Sequence, residues 1–196
     1  VMAGCGNNTA ATTTTAPSTT EAVTTTTRAT EATTTTEAVP ATHVVTDMKG
    51  YEVELPVEIT GYVESWFAHN AVDVMLNKAS EMLVTCCDTN NYQWMYLVCE
   101  NMYNAEYMKF SADMDIESII AMEPDVVFGS NEDYREMFNN VGIPFVNCQF
   151  TNYEEMKKSI SLTAEVFGGE AVTKANDYIS YLDTKLKEVK KITDTV

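Results

Sequence analysis

The chain has 196 residues, 45% of them hydrophobic, a formal net charge of -17 and a pI of about 4.3. That length suffices for one domain with a real core, or for one domain and a tail. The acidic balance argues against nucleic acid, whose phosphates need basic partners, and against charge-driven docking on anionic lipid; no run of about 18 apolar residues is present to form a transmembrane helix.

The chain opens Val1-Met2-Ala3-Gly4-Cys5-Gly6-Asn7-Asn8. Small residues leading into a Cys, then small and polar ones, resemble the end of a bacterial lipoprotein signal peptide, with Met2 where Leu is usual. The resemblance implies that Cys5 carries a lipid, that residues 1–8 are a lipobox and anchor, and that the sequence begins inside the signal. Residues 9–42 are a low-complexity tract of Thr with Ala and Glu, in which Glu-Ala recurs at Glu21, Glu31 and Glu37 and leads into a Thr run at the first two. Such a tract buries too little apolar surface to offset chain entropy. It reads as a disordered stalk, open to O-glycosylation, that holds a domain away from a membrane.

Composition changes at His43. A Gly turn at Gly50, then Tyr51, Val53 and Leu55 alternating on one side, predicts a β-hairpin. A strand follows at about 59–67, then an amphipathic helix over 70–78. Met82 to Cys87 reads as a short buried strand, and 88–114 as irregular, rich in Tyr, Asn and Met. Asp115 is placed to cap a helix over Ile116–Met122. Glu123-Pro124-Asp125-Val126-Val127-Phe128-Gly129 reads as a buried strand bounded by Pro and Gly. A helix over 132–140 leads to a strand from Phe145 to Phe150. Thr151-Asn152-Tyr153-Glu154 reads as a capping box for a helix to Phe167. Gly168-Gly169 stops it. Ala171, Ala175, Tyr178, Ile179, Leu182, Leu186 and Val189 then form one apolar stripe on a long last helix. Strands alternating with helices give an α/β fold with a mainly parallel sheet: a three-layer, Rossmann-like lobe after a β-hairpin, at 43–169, with a long C-terminal helix at 170–196.

Ligands of open parallel sheets bind beyond the carboxyl ends of the strands, where helix N-termini offer N–H groups. Four such ends supply the candidate ligand-binding residues: Trp66, His69 and Asn70; Gln93, Trp94 and Tyr96; Ser130 and Asn131; and Phe150.

The ordered set Asp47-x-x-Gly50 and Leu55-Pro56, Trp66-Phe67-Ala68-His69-Asn70, Met114-Asp115-Ile116-Glu117-Ser118 through Glu123-Pro124-Asp125-Val126-Val127, and Val141-Gly142-Ile143-Pro144-Phe145-Val146 resembles the substrate-binding lipoproteins of iron-complex and cobalamin ABC importers. The resemblance covers about residues 44–192. It implies two α/β lobes joined by one long helix, with ligand between them; the chain matches the first lobe and the linking helix, without a second lobe. It also implies docking on a permease through one acidic residue per lobe, which falls here on Glu117. An exposed carboxylate at a helix start suits pairing with an Arg across an interface, and equally well simply favours the helix dipole.

His69 without a second His, Cys or carboxylate at ligand spacing is weak evidence for metal, and a locally hydrogen-bonded His is the expected role. No metal site and no cofactor are expected. Cys86, Cys87, Cys99 and Cys148 allow a disulfide between Cys99 and Cys86 or Cys87, or equally free buried thiols. The chain has no nucleophile elbow and no P-loop, and only two His, which argues against an enzyme. Before residue 157 the folded part has only Lys49, Lys78, Lys109 and Arg135 as basic residues, none placed with assurance at the rim. A strongly anionic chelate would want such groups, so a neutral or weakly charged metal chelate is expected: iron-siderophore-like, haem or cobalamin. Capture of that chelate for an ABC permease is the leading expectation. A truncated lobe acting as a sensor or surface interaction module is the alternative. An enzyme on a flavodoxin-like sheet ranks third.

Overall fold

The computed structural model describes residues 41–195. The anchor at Cys5 and the stalk up to residue 40 lie outside the described residues. Strands β1 (Thr42–Thr46) and β2 (Glu52–Pro56) form the expected antiparallel hairpin. Its turn is organised by Asp47, whose carboxylate accepts from the backbone N–H of Lys49 (2.9 Å) and of Tyr51 (3.0 Å). Gly50, at φ 87, takes the left-handed position that favours glycine. Val45, Val53 and Leu55 are buried. Tyr51 is not with them: it is exposed, and the Arg135 guanidinium stacks on its ring at 4.3 Å.

The remaining elements run β3 (Tyr62–Glu64), α1 (Asn70–Met75), β4 (Met82–Thr85), α2 (Gln93–Val98), a 3-10 turn (Glu100–Asn104), β5 (Glu106–Tyr107), α3 (Ile116–Ala121), β6 (Val126–Gly129), α4 (Glu132–Asn139), β7 (Phe145–Asn147), α5 (Tyr153–Phe167) and α6 (Glu170–Thr193). The second sheet has the order β5-β4-β3-β6-β7, and every neighbouring pair is parallel. The first strand of that sheet is its centre. Chain order runs outward from it in both directions, so the topology switches between β3 and β6.

Side chains alternate across the sheet, as strand geometry requires. Tyr62, Val126, Phe128 and Val146 join the core under α1, α5 and α6, while Val63, Val84, Val127 and Phe145 face Ile119 of α3 and Phe138 of α4. Both faces are covered, which explains why Val126-Val127-Phe128 reads as a continuous apolar run. Ala171 and Ala175 are buried on α6, whereas Tyr181, Val189 and Ile192 are exposed. The apolar stripe is therefore satisfied at its start and open at its end.

Several boundaries differ from the sequence expectation. The strand expected to 67 stops at Glu64, because the Trp66 N–H donates to the Glu64 Oε1 (2.7 Å) and not to a neighbouring strand. The strand expected to Phe150 stops at Asn147, whose Oδ1 accepts from the Gln149 N–H (2.9 Å). The stretch 88–114 is not irregular throughout; it holds α2, the 3-10 turn and β5. Asp115 caps α3 as expected, accepting from the Ser118 N–H. The capping box is displaced by one residue: Asn152 accepts from the Glu155 N–H (2.9 Å), and Glu155 reaches back to Thr151 (2.7 Å). Cys86, Cys87, Cys99 and Cys148 are all free thiols.

Candidate functional site

Because the five strands are parallel, their carboxyl ends share one edge, and β3, β4, β6 and β7 each hand the chain there to a loop and helix. Trp66 and Phe150 leave the ends of β3 and β7, half-buried, and pack edge to face with centroids 4.9 Å apart. Phe67 and Tyr92 form a second pair at 6.0 Å, which ties the start of α2 to the same place. Between β3 and β7 lies the end of β6, where Gly129 has no side chain. A Cβ there would stand 2.2 Å from the Ser65 Oγ and 3.0 Å from the Phe145 ring. Ser65 occupies the space and donates its hydroxyl to the Phe128 carbonyl (2.8 Å).

The sequence-derived residues divide into two groups. Trp66, Ser130, Asn131 and Phe150 lie at strand ends with solvent access, and Gln93 and Trp94 are exposed on the first turn of α2. His69, Asn70 and Tyr96 are buried, and here the expectation of ligand-facing side chains is corrected. Asn70 accepts from the Thr85 hydroxyl (2.7 Å) and donates to the Trp66 carbonyl (3.2 Å), pinning the turn after β3 to the end of β4. Tyr96 donates its hydroxyl to the Cys87 carbonyl. His69 lies beneath α5, between Glu64 and Thr163. Helix N–H groups are less free than expected, because Asn131 and Asn152 cap α4 and α5.

Lys49 reaches the rim. Lys49 Nζ donates to Gln149 Oε1 (2.8 Å) across 100 residues of sequence, which corrects the expectation that none is placed there. A groove of about 810 Å³ adjoins this pair, lined by Asp47, Lys49, Gln149, Thr151, Glu155 and Lys158 among others. Arg135 is neutralised by Asp47 and Glu132, and Lys157 by Glu154 and Asp183.

Below the rim, Glu64, His69 and Asp73 form a fully buried polar group. Burial pushes both carboxyls well above their usual range and lowers the imidazole. Sequence reasoning missed Glu64 and Asp73, although His69 and Asp73 stand four apart on one helix and could have been paired.

A parallel sheet with its topological switch under an aromatic rim is the geometry of a small-molecule binding lobe. The profile of the periplasmic binding protein family matches residues 61–196. The chain belongs to this family of periplasmic binding proteins. The family is one of periplasmic solute-binding proteins, which implies an extracytoplasmic location. No curated protein matches the chain.

Solved structures agree in fold. A periplasmic solute binding protein from Veillonella parvula superposes with a TM-score of 0.67 at 18% identity, over 77% of this chain and 48% of that one. The iron uptake ABC transporter substrate-binding protein PiuA from Streptococcus pneumoniae gives 0.65 at 20% identity, over 81% and 56%. The molybdate periplasmic binding protein MolA of Haemophilus influenzae, bound to molybdate, gives 0.62 at 19% identity, over 74% and 52%. This periplasmic binding protein thus spans about half the length of the structures it resembles. Among the described residues, no helix is long and apolar enough to cross a membrane.

Proposed function

We propose that this periplasmic binding protein captures a neutral or weakly charged metal chelate, of the iron-siderophore, haem or cobalamin kind, for delivery to an ABC permease. The rim supports this reading: Trp66 and Phe150 close over the switch point and offer aromatic surface to a ligand, with Ser130, Asn131, Gln93 and Trp94 as polar and aromatic neighbours. Lys49, already bonded to Gln149, and Lys158, in a groove that also carries Asp47 and Glu155, are too little charge to hold a strongly anionic complex. The lobe presents one face of a clamp. The stripe at the end of α6, with Val189 and Ile192 exposed, is the surface a second lobe would cover. Lipidation at Cys5 would tether the lobe, and Glu117, exposed in the first turn of α3, would meet a basic residue of the permease.

The chain has two Trp, so intrinsic fluorescence reports on the rim directly. Titration of the full chain with ferric siderophores, haem and cobalamin is expected to quench emission with a neutral or weakly charged complex and not with a trianionic one. Preference for the trianionic complex would overturn the charge argument. Glu117→Lys in the lipidated protein is expected to reduce chelate uptake while leaving the fluorescence titration unchanged.

A further inference from the structure

Strand β3 carries Glu64, and α1 carries His69 as its N-cap and Asp73 in its first turn. None of the three has solvent exposure. His69 Nδ1 lies 2.6 Å from Glu64 Oε2 and 3.7 Å from Asp73 Oδ1. One ligand atom from each falls within 4.8 Å of the other two.

The neighbours of the imidazole settle its tautomer. The Thr163 hydroxyl donates to the Ser159 carbonyl (2.8 Å), which has no proton to give. Thr163 Oγ1 therefore accepts from His69 Nε2–H (2.8 Å). A neutral ring then turns the Nδ1 lone pair toward the two carboxylates. Such an outer partner, fixing the ring and its basicity, is characteristic of metal-binding His. Glu64 Oε1 is held by the Trp66 N–H, which leaves Oε2 facing inward.

A proton between Glu64 and His69 accounts for only half of this arrangement. Neither oxygen of Asp73 nor the buried Tyr62 hydroxyl makes a hydrogen bond of good geometry, although the Glu64 carboxyl and the Tyr62 hydroxyl both lie beside the Asp73 carboxyl. Among the described residues His69 is the only basic group paired with Glu64 or Asp73. A buried carboxylate with no partner is strongly unfavourable, and such groups are normally paired or bound to metal. With their protons displaced, two carboxylates beside a neutral imidazole carry two negative charges, which one divalent cation neutralises.

We propose that Glu64, His69 and Asp73, with the Tyr62 hydroxyl as a fourth donor, form a closed site for one divalent first-row transition-metal ion. Imidazole with carboxylates favours such an ion over calcium or magnesium. Complete burial marks the site as structural, since no position is open to solvent or cargo. The ion would fasten β3 to α1 and, through Thr163, to α5, under the turn that presents Trp66. Binding requires the Glu64–His69 contact to open to about 3.3 Å, the separation of two ligands on one tetrahedral ion. The site stands independently of which chelate the rim takes.

The test uses the full chain, stripped with a chelator and titrated with Co2+, then Zn2+. The expected result is one ion per chain by elemental analysis, a cobalt visible spectrum without a thiolate charge-transfer band, and a thermal unfolding midpoint that rises with Zn2+ and reverts with chelator. Asp73→Asn, matched in shape, is expected to weaken Co2+ binding at least tenfold and to lose the Zn2+ response. A wild-type chain that retains no ion and shows no shift overturns the proposal. So does a thiolate band, which would place the ion on the cysteines, or an Asp73→Asn variant that binds as wild type does. Should that variant fold poorly, the wild-type stoichiometry and cobalt spectrum decide alone.

Discussion

Trp66 and Phe150 meet edge to face with ring planes inclined at 60°, although their strands, β3 and β7, are not neighbours in the sheet. The contact bridges the end of β6, the strand that lies between them. Phe150→Ala removes one wall of the bridge. It is expected to shift Trp66 emission to the red and to weaken the chelate found in the fluorescence titration at least tenfold. Stability should fall by only about 1 kcal/mol, the size of an aromatic pair that is partly in water. Unchanged affinity with a red-shifted spectrum would remove Phe150 from the binding surface.

Gly129 is required by space, not by backbone conformation. Its added Cβ would meet the Ser65 Oγ at 2.2 Å and two Phe145 ring atoms at 3.0 and 3.1 Å. Gly129→Ala should destabilise by about 1–3 kcal/mol, the usual range for overpacking. Adding Ser65→Ala relieves the hydroxyl clash but not the ring contact, so rescue should be partial and non-additive in urea unfolding. Full additivity of the two losses would show that Ser65 is not the obstacle.

How far the sequence carries depends on whether a pattern is local. Val126-Val127-Phe128 is legible because both faces of β6 are buried, and the Asp115 cap because its partner is three residues away. Strand β5 is not legible: two exposed residues, Glu106 and Tyr107, pair only with Val84 and Thr85, and no periodicity can develop over two positions. At the rim, chain order suffices to find Trp66, Ser130 and Phe150, since each follows a strand. It fails for His69, whose burial is decided by Thr163, 94 residues on, and for Lys49, whose partner Gln149 is 100 residues away.

The hairpin and α4 are joined by Arg135, which pairs with Asp47 and with Glu132. The hydrogen bond from Arg135 holds the Glu132 carboxyl below its ordinary value of 4.5. A depressed carboxylate contributes stability that is present above its unfolded pKa and is lost as pH falls through the folded value. Stability should therefore decline as pH falls below about 4.5, and Glu132→Gln should flatten that decline by no more than about 1 kcal/mol, because the side chain is 39% exposed. Asp88, Asp115 and Glu155 are also depressed, so the difference between variant and wild type across a pH series of urea melts is the quantity that isolates Glu132. Parallel curves would show that the Arg135 bond contributes nothing to folding.

Among the described residues, two other than glycine adopt left-handed backbone, Asn77 at φ 62 and Glu123 at φ 51. Asn tolerates this region because its short side chain bonds locally, whereas a long side chain pays roughly 1–2 kcal/mol there. Both residues are exposed, and both follow a short helix, so neither side chain is held by packing. Glycine removes the steric term but adds about 0.5–1 kcal/mol of unfolded-state entropy. The two substitutions should therefore diverge: Asn77→Gly close to neutral, and Glu123→Gly stabilising by about 0.5 kcal/mol, measured by urea unfolding at constant pH. If Glu123→Gly instead destabilises while Asn77→Gly does not, the Glu123 side chain contributes more than its backbone loses, and the strain assigned to the turn before Pro124 is absent.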